Sequence, residues 1–594
     1  MDEFTPGREP VTLVELDQDF CQLTYGGPPC TAELGVTGPR KCYNVLATCQ
    51  DPDNYTLDTL TLRFARAQAE LPWHWQAIPS VQSVSTNPTE INPGGGNKDR
   101  SPLGSRAKVR VRFKDHPHSD FRVDPYRDER DYQPLERGTF WTKWLARNPY
   151  HRGRLMRIRE GYIDQAPEDM KTRHYVIKEI SGPDANGRVT IKGEDILSLT
   201  DISRAQAPRV TEGELASDIS ETADSLTIVN YRSSDDYPAP SDFEEGYGTV
   251  RISDEVIRYN SRSVNNGEIT LSNLTRGADG SEADSHDAED NVQLCLRYTG
   301  KEVWRVARDL LENYANIPAA YIPFTDWEAE ADTWLAQFTV TTLITEPEGV
   351  QDLLGEITEQ CQFFVWWDER DQEIKLKALR PPTEEPKQLD DYRHIKADSW
   401  ARDIDDDQRI SQVWVYYLQR DPTESLDEPT NYKRLRVRID AQAEQPEKYD
   451  ERKVKRIYSR WLESQAQAIN VAARLLNRYR DGAKYLTLRL DAKDRELWTG
   501  DVADVQLWSL VDATGAPRLT RYQVISAEEV QPGETVEYDL LNYEFDVTSR
   551  FAYWMGEDAP SYTEASEEER SRSAAFWSDD AGQMPDGSTG YEWI

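Results

Sequence analysis

The sequence has no long hydrophobic run. No stretch approaches the roughly 20 consecutive apolar residues that a membrane-spanning helix requires, and the N-terminus, MDEFTPGREP, has no basic start followed by an apolar segment. We therefore expect neither a membrane span nor a secretory signal. Histidine and cysteine are also scarce, with 7 and 6 residues, so candidate metal ligands can be considered one by one.

Basic residues are in the minority. The chain carries 70 Lys and Arg against 107 Asp and Glu, a net charge of −37, which opposes binding to nucleic acid or to anionic lipid. We therefore predict no specific nucleic-acid binding. The charge is uneven, because residues 98–160 contain 17 Lys and Arg and 9 Asp and Glu, a local balance of +8. This stretch is either a solvated surface or a surface that meets an acidic neighbour in an oligomer or a partner.

Sequence motifs of common enzymes are missing. There is no phosphate-binding loop, no His-Glu-x-x-His zinc motif and no nucleophile elbow. His116 and His118, together with Asp120, could supply metal ligands, but on an irregular loop we interpret them as a local hydrogen-bonded turn. Paired carboxylates are so common in this acidic chain that they neither support nor exclude a glycosidase site. We predict that the chain is not an enzyme.

At 594 residues, the chain is too long for one hydrophobic core. Its hydrophobic fraction of 38%, with 17 Trp, 29 Tyr and 14 Phe, is sufficient to fill several cores. Short alternating segments separated by Pro and Gly predict a mainly β, multidomain α+β fold. We predict a β-rich domain at 1–205 with the cysteine segment at 18–60, a small all-β module at 206–299, an α/β domain at 300–385, a second β-barrel-like domain at 386–556 and an acidic flexible tail at 557–594.

Helices are predicted in the second half of the chain. Apolar residues recurring every three or four positions predict helices over 301–314 and about 348–361. A longer helix is predicted over about 460–480, ending near Gly482. The tail from 557 carries 10 acidic and 2 basic residues, a composition typical of flexible segments.

Four of the six cysteines lie within 29 residues, at Cys21, Cys30, Cys42 and Cys49. Four thiolates can complete a tetrahedral zinc site or bind an iron–sulfur cluster. Zinc sites usually pair cysteines two to four residues apart, whereas the intervals here are eight, eleven and six residues, which fits loops around a bulkier cluster better. The alternatives are two disulfides and four unconnected thiols. Disulfides require an oxidising compartment, which the absence of an export signal disfavours. Cys295 and Cys361 are interpreted as ordinary core residues.

The cysteine segment resembles part of a known family. Residues 17–30 (DQDFCQLTYGGPPC), 41–44 (KCYN) and 47–51 (ATCQD) are similar to tail-tip hub proteins of long-tailed, non-contractile bacteriophages and related prophages. The similarity continues through 114–120 (KDHPHSD) and 138–150 (GTFWTKWLARNPY). Residues 250–259 (VRISDEVIRY) and 274–277 (LTRG) are similar to a small β module common in tail proteins.

The resemblance implies a homotrimer of β-barrel and α/β hub domains at the end of the tail tube. It also implies a [4Fe–4S] cluster, with zinc as the less favoured metal, ligated by Cys21, Cys30, Cys42 and Cys49. The implied function is that of a structural virion protein, assembled in the host cytoplasm, which caps the tail tube. Its implied partners are the distal tail ring protein, the tape-measure protein and the central tip fibre protein.

Two other functions remain as alternatives. The first is a tail-associated hydrolase that acts on cell-wall polysaccharide or peptidoglycan, for which the aromatic residues and carboxylates are the only support. The second is a redox or radical enzyme that uses the cluster. Four cysteine ligands leave no vacant iron on a [4Fe–4S] cube, which disfavours the second alternative.

Overall fold

The computed structural model describes most of the chain. The described residues are 9–67, 71–93, 102–231, 242–265, 267–440, 444–449, 451–491, 494, 496–531, 535–543, 563, 564 and 566. The predicted tail at 557–594 falls almost entirely outside them. Strands account for 39% of the residues and helices for 19%, so the prediction of a mainly β fold with several sheets is confirmed. Among the described helices, none is long and apolar enough to cross a membrane.

The first seven strands close into a barrel. They are β1 (Pro10–Cys21), β2 (Leu57–Arg66), β3 (Ile78–Asn87), β4 (Lys108–Lys114), β5 (Leu155–Tyr162), β6 (Lys171–Ser181) and β7 (Arg188–Glu194), in the order β1-β2-β3-β4-β7-β6-β5. All neighbours are antiparallel except β2 and β3. In β4, Val109, Val111 and Phe113 are buried and the basic residues between them are exposed, because one face of the strand lies against the core.

Helix α1 (Phe140–Arg147) fills part of the barrel core. Trp141 stacks on Phe64 of β2 with ring centroids 5.4 Å apart, and Trp144 lies 5.6 Å from Trp141. The indole Nε1 of Trp144 donates to Gln18 of β1 at 2.7 Å. Helix α1 therefore fixes the end of the preceding loop, residues 115–139, beside β1.

Residues 214–294 form short strands with their own core. They follow β8 (Gln206–Ala207), which pairs with residues 348–349. The strands are β9 (Glu214–Leu215), β10 (Ser225–Val229), β11 (Gly248–Ile252), β12 (Glu255–Tyr259), β13 (Ser261–Asn265), β14 (Glu268–Ser272) and β15 (Gln293–Leu294). Two small sheets have the orders β13-β14-β10-β9 and β12-β11-β15. Ile228, Val250, Ile257 and Ile269 are buried between them, so the module has a core built from alternating strand residues.

Residues 296–378 combine helices and strands. They are β16 (Leu296–Glu302), α2 (Val303–Asp309), α3 (Phe324–Trp334), β17 (Thr339–Ile344), β18 (Glu348–Gly349), α4 (Val350–Cys361), β19 (Phe363–Asp368) and β20 (Glu373–Ala378). Helix α2 continues as a π-helical turn over Leu310–Tyr314. The helices predicted over 301–314 and 348–361 are confirmed.

The C-terminal part contains a six-stranded sheet, a three-stranded sheet and one helix. Its elements are β21 (Lys387–Asp390), β22 (Ala401–Asp405), β23 (Gln412–Gln419), β24 (Tyr432–Ile439), β25 (Val454–Tyr458), α5 (Gln465–Tyr479), β26 (Ala483–Asp491), β27 (Val502–Gln506), β28 (Thr520–Gln531) and β29 (Thr535–Asn542). The sheet orders are β21-β27-β28-β29-β26-β22 and β24-β23-β25. Helices α2, α4 and α5 contribute to the same large hydrophobic core.

Candidate metal centre

The cysteine segment connects two neighbouring strands of the barrel. Cys21 is the last residue of β1 and lies opposite Leu57, the first residue of β2. Residues 22–56 therefore leave and re-enter the barrel at one end. They contain two short 3-10 helices, Leu46–Thr48 and Pro52–Asn54, and consist otherwise of turns and irregular loops, so their conformation depends strongly on side-chain contacts.

The four cysteines Cys21, Cys30, Cys42 and Cys49 line one small pocket. Cys21 is buried, the other three are partly buried, and all four are free thiols. Among the described residues, no three His, Cys, Asp or Glu side chains stand close enough together to bind a single metal ion. The four cysteines thus share one pocket, although they are far apart in sequence.

Asn44 joins the end of β1 to the neighbourhood of Cys42. Its backbone oxygen accepts from the Cys21 amide at 2.7 Å, and its Nδ2 donates to the carbonyl oxygens of Cys21 and Leu23 at 3.1 and 3.2 Å. The Sγ of Cys42 donates to Asn44 Oδ1 at 3.5 Å. The backbone φ of Asn44 is +54°, a left-handed conformation that asparagine adopts more readily than most residues. Asn44 thus sets the position of two cysteines relative to each other.

Gln50 fastens the two longer loops between the cysteines. Its Oε1 accepts from the hydroxyls of Tyr25 and Thr37 at 2.7 and 2.8 Å, and its Nε2 donates to the carbonyl oxygen of Arg40 at 2.6 Å. A Cβ at Gly38 would lie 2.5 Å from this Nε2. Glycine at position 38 is therefore required for Gln50 to reach all three partners.

The loop 115–139 packs against the cysteine segment through Arg130. The guanidinium of Arg130 binds both carboxylate oxygens of Asp124 at 2.8 Å and donates to the carbonyl oxygens of Lys41 and Cys42 at 2.6 and 2.9 Å. The side chains of Arg130 and Asp124 are only 3% and 0% exposed. The Cζ of Arg130 lies 4.1 Å from the ring centroid of Tyr43. Arg130, which lies outside the cysteine segment, thus holds the backbone at Cys42 in place.

Partial burial affects the thiols of the pocket. Burial, and to a smaller extent the other cysteines, raises the pKa of Cys42 and Cys49, although hydrogen bonds from the neighbouring backbone act in the opposite direction. The nearest basic residues along the chain and in the packed loop have carboxylate partners, since Lys41 Nζ lies 2.8 Å from Glu129 and Arg130 binds Asp124. Metal binding requires thiolates, so a bound metal would have to lower the raised pKa of these two cysteines.

Four cysteine thiols are a donor set that suits either of the two predicted metals. Sulfurs bound to one zinc, with Zn–S bonds of about 2.3 Å, would lie roughly 3.8 Å apart in a tetrahedron. In a [4Fe–4S] cluster each cysteine binds a different iron, so the sulfurs lie farther apart around the inorganic core. The four thiols around one pocket have the donor type and number that such a cluster needs.

The other candidate ligands do not line this pocket. Asp120 accepts from Lys143 and Arg147 at 2.6 and 2.7 Å, and its backbone amide donates to His118 Nδ1 at 3.0 Å. The interpretation of this loop as a local hydrogen-bonded turn is confirmed. Cys361 is buried in the large core, and the partly buried Cys295 packs against a smaller apolar cluster.

Comparisons with known proteins give only distant likenesses. No protein-family model matches the chain, and no curated protein sequence matches it. A tail protein from Neisseria meningitidis MC58 is 12% identical, covers 74% of this chain and 88% of its own, and has a TM-score of 0.33. A 43 kDa tail protein of prophage MuSo2 from Shewanella oneidensis is 10% identical, with coverages of 78% and 95% and a TM-score of 0.36.

A component of the E. coli type VI secretion system is also similar. It is 7% identical, covers 79% of this chain and 76% of its own, and has a TM-score of 0.30. TM-scores of this size do not establish a common fold.

Proposed function

We propose that this chain is a structural subunit of the tail tip of a long-tailed, non-contractile bacteriophage or prophage, and that Cys21, Cys30, Cys42 and Cys49 hold a [4Fe–4S] cluster. In this role three copies form a hub that caps the tail tube. The hub connects the distal tail ring to the central tip fibre and also contacts the tape-measure protein. It is assembled in the host cytoplasm and becomes part of the virion.

The observation that carries the proposal is the position of the four cysteines. They are spread over 29 residues, yet all four line one pocket at the end of the barrel. These are the four residues that the resemblance to tail-tip hubs assigns as cluster ligands. Agreement between the ligand set and the geometry supports both the cluster and the family.

The surrounding side chains would orient the ligands. A bound cluster supplies iron–sulfur bonds that cross-link four points of the segment and couple its folding to metal loading. Asn44 holds Cys21 and Cys42 in a fixed relation, and Arg130 anchors the backbone of Cys42 to the loop 115–139. With a cysteine on every iron, the role of the cluster in this segment is structural.

Replacing Cys42 by serine is expected to abolish the cluster. The protein should be purified without oxygen, and its visible absorption and its iron, sulfide and zinc contents measured. We expect brown wild-type protein with about four irons per chain and a Cys42→Ser variant that has lost most of them. Cys295→Ser is the matched control, because Cys295 is also partly buried but lies outside the pocket. One zinc per chain without sulfide, or no metal, would contradict the cluster.

The location in the virion needs a separate test. Particles induced from the cell that carries this gene should be labelled with gold-bound antibody against the chain and viewed by electron microscopy. Labelling confined to the end of the tail opposite the head is the expected result. Labelling of heads or of the whole tube, or chain absent from purified particles, would contradict the tail-tip role.

A further inference from the structure

Two sheets of the C-terminal part end in strands with an open edge. Strand β24 is the last strand of the three-stranded sheet, and β22 is the last strand of the six-stranded sheet. Over the part of the chain that the structure describes, each pairs with one neighbour only, β24 with β23 and β22 with β26. An open edge offers unpaired N–H and C=O groups, which proteins either protect or use for pairing.

The two edges carry opposite charges in the same pattern. Strand β24 contains Arg434-Leu435-Arg436, and β22 contains Asp403-Ile404-Asp405. The central aliphatic residues are both half exposed, 46% for Leu435 and 47% for Ile404. Each edge therefore presents one exposed aliphatic side chain between two charged residues, which are positive in β24 and negative in β22.

Most of these charges have no opposite charge nearby. Lys433, Arg434 and Arg436 form no ion pair with any described residue, although the chain is strongly acidic overall. The Asp403 carboxylate accepts from the backbone amide of Ile404 at 3.0 Å. The Asp405 carboxylate accepts from the Asp407 amide at 3.0 Å and from Gln408 Nε2 at 2.5 Å, and neither carboxylate forms an ion pair with a described residue. The charges are thus available to a partner.

The side chains of the two edges are also arranged on matching faces. Arg434 and Arg436 lie beside Tyr417 and Val415 of β23, which face the large core. Asp403 and Asp405 lie beside Tyr485 and Ala483 of β26, which belong to or pack against the same core. Since strand residues alternate between faces, a joined pair of edges would place all four charges on one face and the two aliphatic residues on the other.

We infer that β22 of one copy of this chain pairs with β24 of the next copy in antiparallel orientation, with Ile404 opposite Leu435. This register places Asp403 opposite Arg436 and Asp405 opposite Arg434. The pairing ends there, because β22 ends at Asp405 and a 3-10 helix begins at Asp406. A parallel pairing would instead place Arg402 opposite Lys433, and like charges directly opposite are unfavourable.

The charge pattern also decides how the copies assemble. Two β24 edges repel each other, because Lys433, Arg434 and Arg436 are all basic, so each copy directs its basic edge toward the acidic edge of a neighbour. Such head-to-tail contacts form a closed ring when the rotation between copies permits it. The inference rests on the proposed function, because it supplies the contact between copies of the hub.

Charge reversal tests the contact. We expect the full-length wild-type chain to be oligomeric by light scattering. One double variant is Arg434→Glu with Arg436→Glu, and the other is Asp403→Lys with Asp405→Lys. Each should raise the dissociation constant of the oligomer more than about tenfold, because attractive pairs become repulsive. A chain with all four substitutions exchanges the two signs and should regain the oligomer. A mixture of the two double variants should form pairs but no ring with an odd number of copies.

Arg110→Glu with Arg112→Glu is the matched control. These two residues are also exposed arginines two positions apart, but both edges of their strand, β4, are already paired. A wild-type chain that stays monomeric at all concentrations, or a fourfold variant that fails to regain the oligomer, would overturn the inference. Visible absorption is measured on the same samples: iron retained by a monomeric chain contradicts this contact and the three-copy hub but not the cluster, whereas wild-type protein without iron contradicts the cluster.

Discussion

Replacing Arg130 by leucine is expected to destabilise the contact between the cysteine segment and the loop 115–139 by about 3–5 kcal/mol. The Arg130 guanidinium is buried against Asp124 and also satisfies the carbonyl oxygens of Lys41 and Cys42. Leucine would leave a buried carboxylate without its cation and two carbonyl oxygens without their donor. Hydrogen exchange of residues 22–56 measures the effect, because opening of this segment is local.

The same loop offers a control for Arg130. Arg127 pairs with the exposed Asp128 at 3.3 Å, and an exposed pair contributes about 0–1 kcal/mol. Arg127→Leu should therefore change the exchange of residues 22–56 little. Arg130→Lys should fall between the two, because lysine keeps the charge but lacks the fork that binds a carboxylate and two carbonyls together. Equal exchange in Arg130→Leu and Arg127→Leu would show that the anchor does not hold the segment.

Local sequence patterns identified several elements but not their arrangement. The helix predicted over about 460–480 is observed as Gln465–Tyr479, and its start is set by a capping box in which Ser464 accepts from the Gln467 amide at 3.2 Å. Helix Phe324–Trp334 was not predicted, because it buries only Trp327 and Ala331 and so has a weak apolar stripe. Closure of the barrel by β1 and β5 joins residues at least 140 positions apart in sequence, such as Leu16 and Met156, which no local pattern encodes.

For the metal centre, too, the sequence predicted the cysteines but not the residues that hold them in place. The spacing of the cysteines predicted a shared site, and the structure brings them to one pocket, while the metal itself stays a prediction. Arg130 and its partner Asp124 were not identified, since the contacts of Arg130 with Lys41 and Cys42 span almost 90 residues. The excess of basic residues at 98–160 was the feature of the sequence that could have indicated a contact such as that of Arg130.

The basic stretch is partly a solvated surface, as one of the two predictions had it, because Arg110 and Arg112 of β4 are exposed. Other residues of the stretch pair with acidic residues outside it. Arg157 pairs with Glu15 at 3.0 Å and with Asp17 at 2.5 Å on the neighbouring strand β1. Part of the local positive charge is thus neutralised by acidic residues of the same domain, which a count over one sequence window cannot reveal.

Replacing Glu255 by glutamine is expected to destabilise the small module of β9–β15 by about 3–5 kcal/mol at neutral pH. Glu255 is 1% exposed. Its carboxylate accepts from Arg276 at 2.9 and 2.6 Å, from the Gly277 amide at 2.8 Å and from His286 Nε2 at 2.7 Å. Glutamine has the same shape, but it removes the charge that neutralises Arg276 and offers one oxygen where the carboxylate offers two.

The effect of Glu255→Gln should shrink in acid. Although burial raises the pKa of Glu255, its hydrogen bonds, above all from Arg276, bring the net value below 4.5. A carboxyl group whose pKa is lowered by folding stabilises the folded state above its unfolded pKa, and this stabilisation is lost as the pH falls through the folded pKa. Wild type should therefore approach the variant below about pH 4.5. Hydrogen exchange of β12 and β14, corrected for the intrinsic pH dependence of exchange, measures the difference.

Glu268→Gln, at an exposed position on β14, is the control and should change the free energy of unfolding by less than about 0.5 kcal/mol. An equally small difference for Glu255→Gln, or a difference that does not depend on pH, would show that the buried carboxylate does not hold the module together.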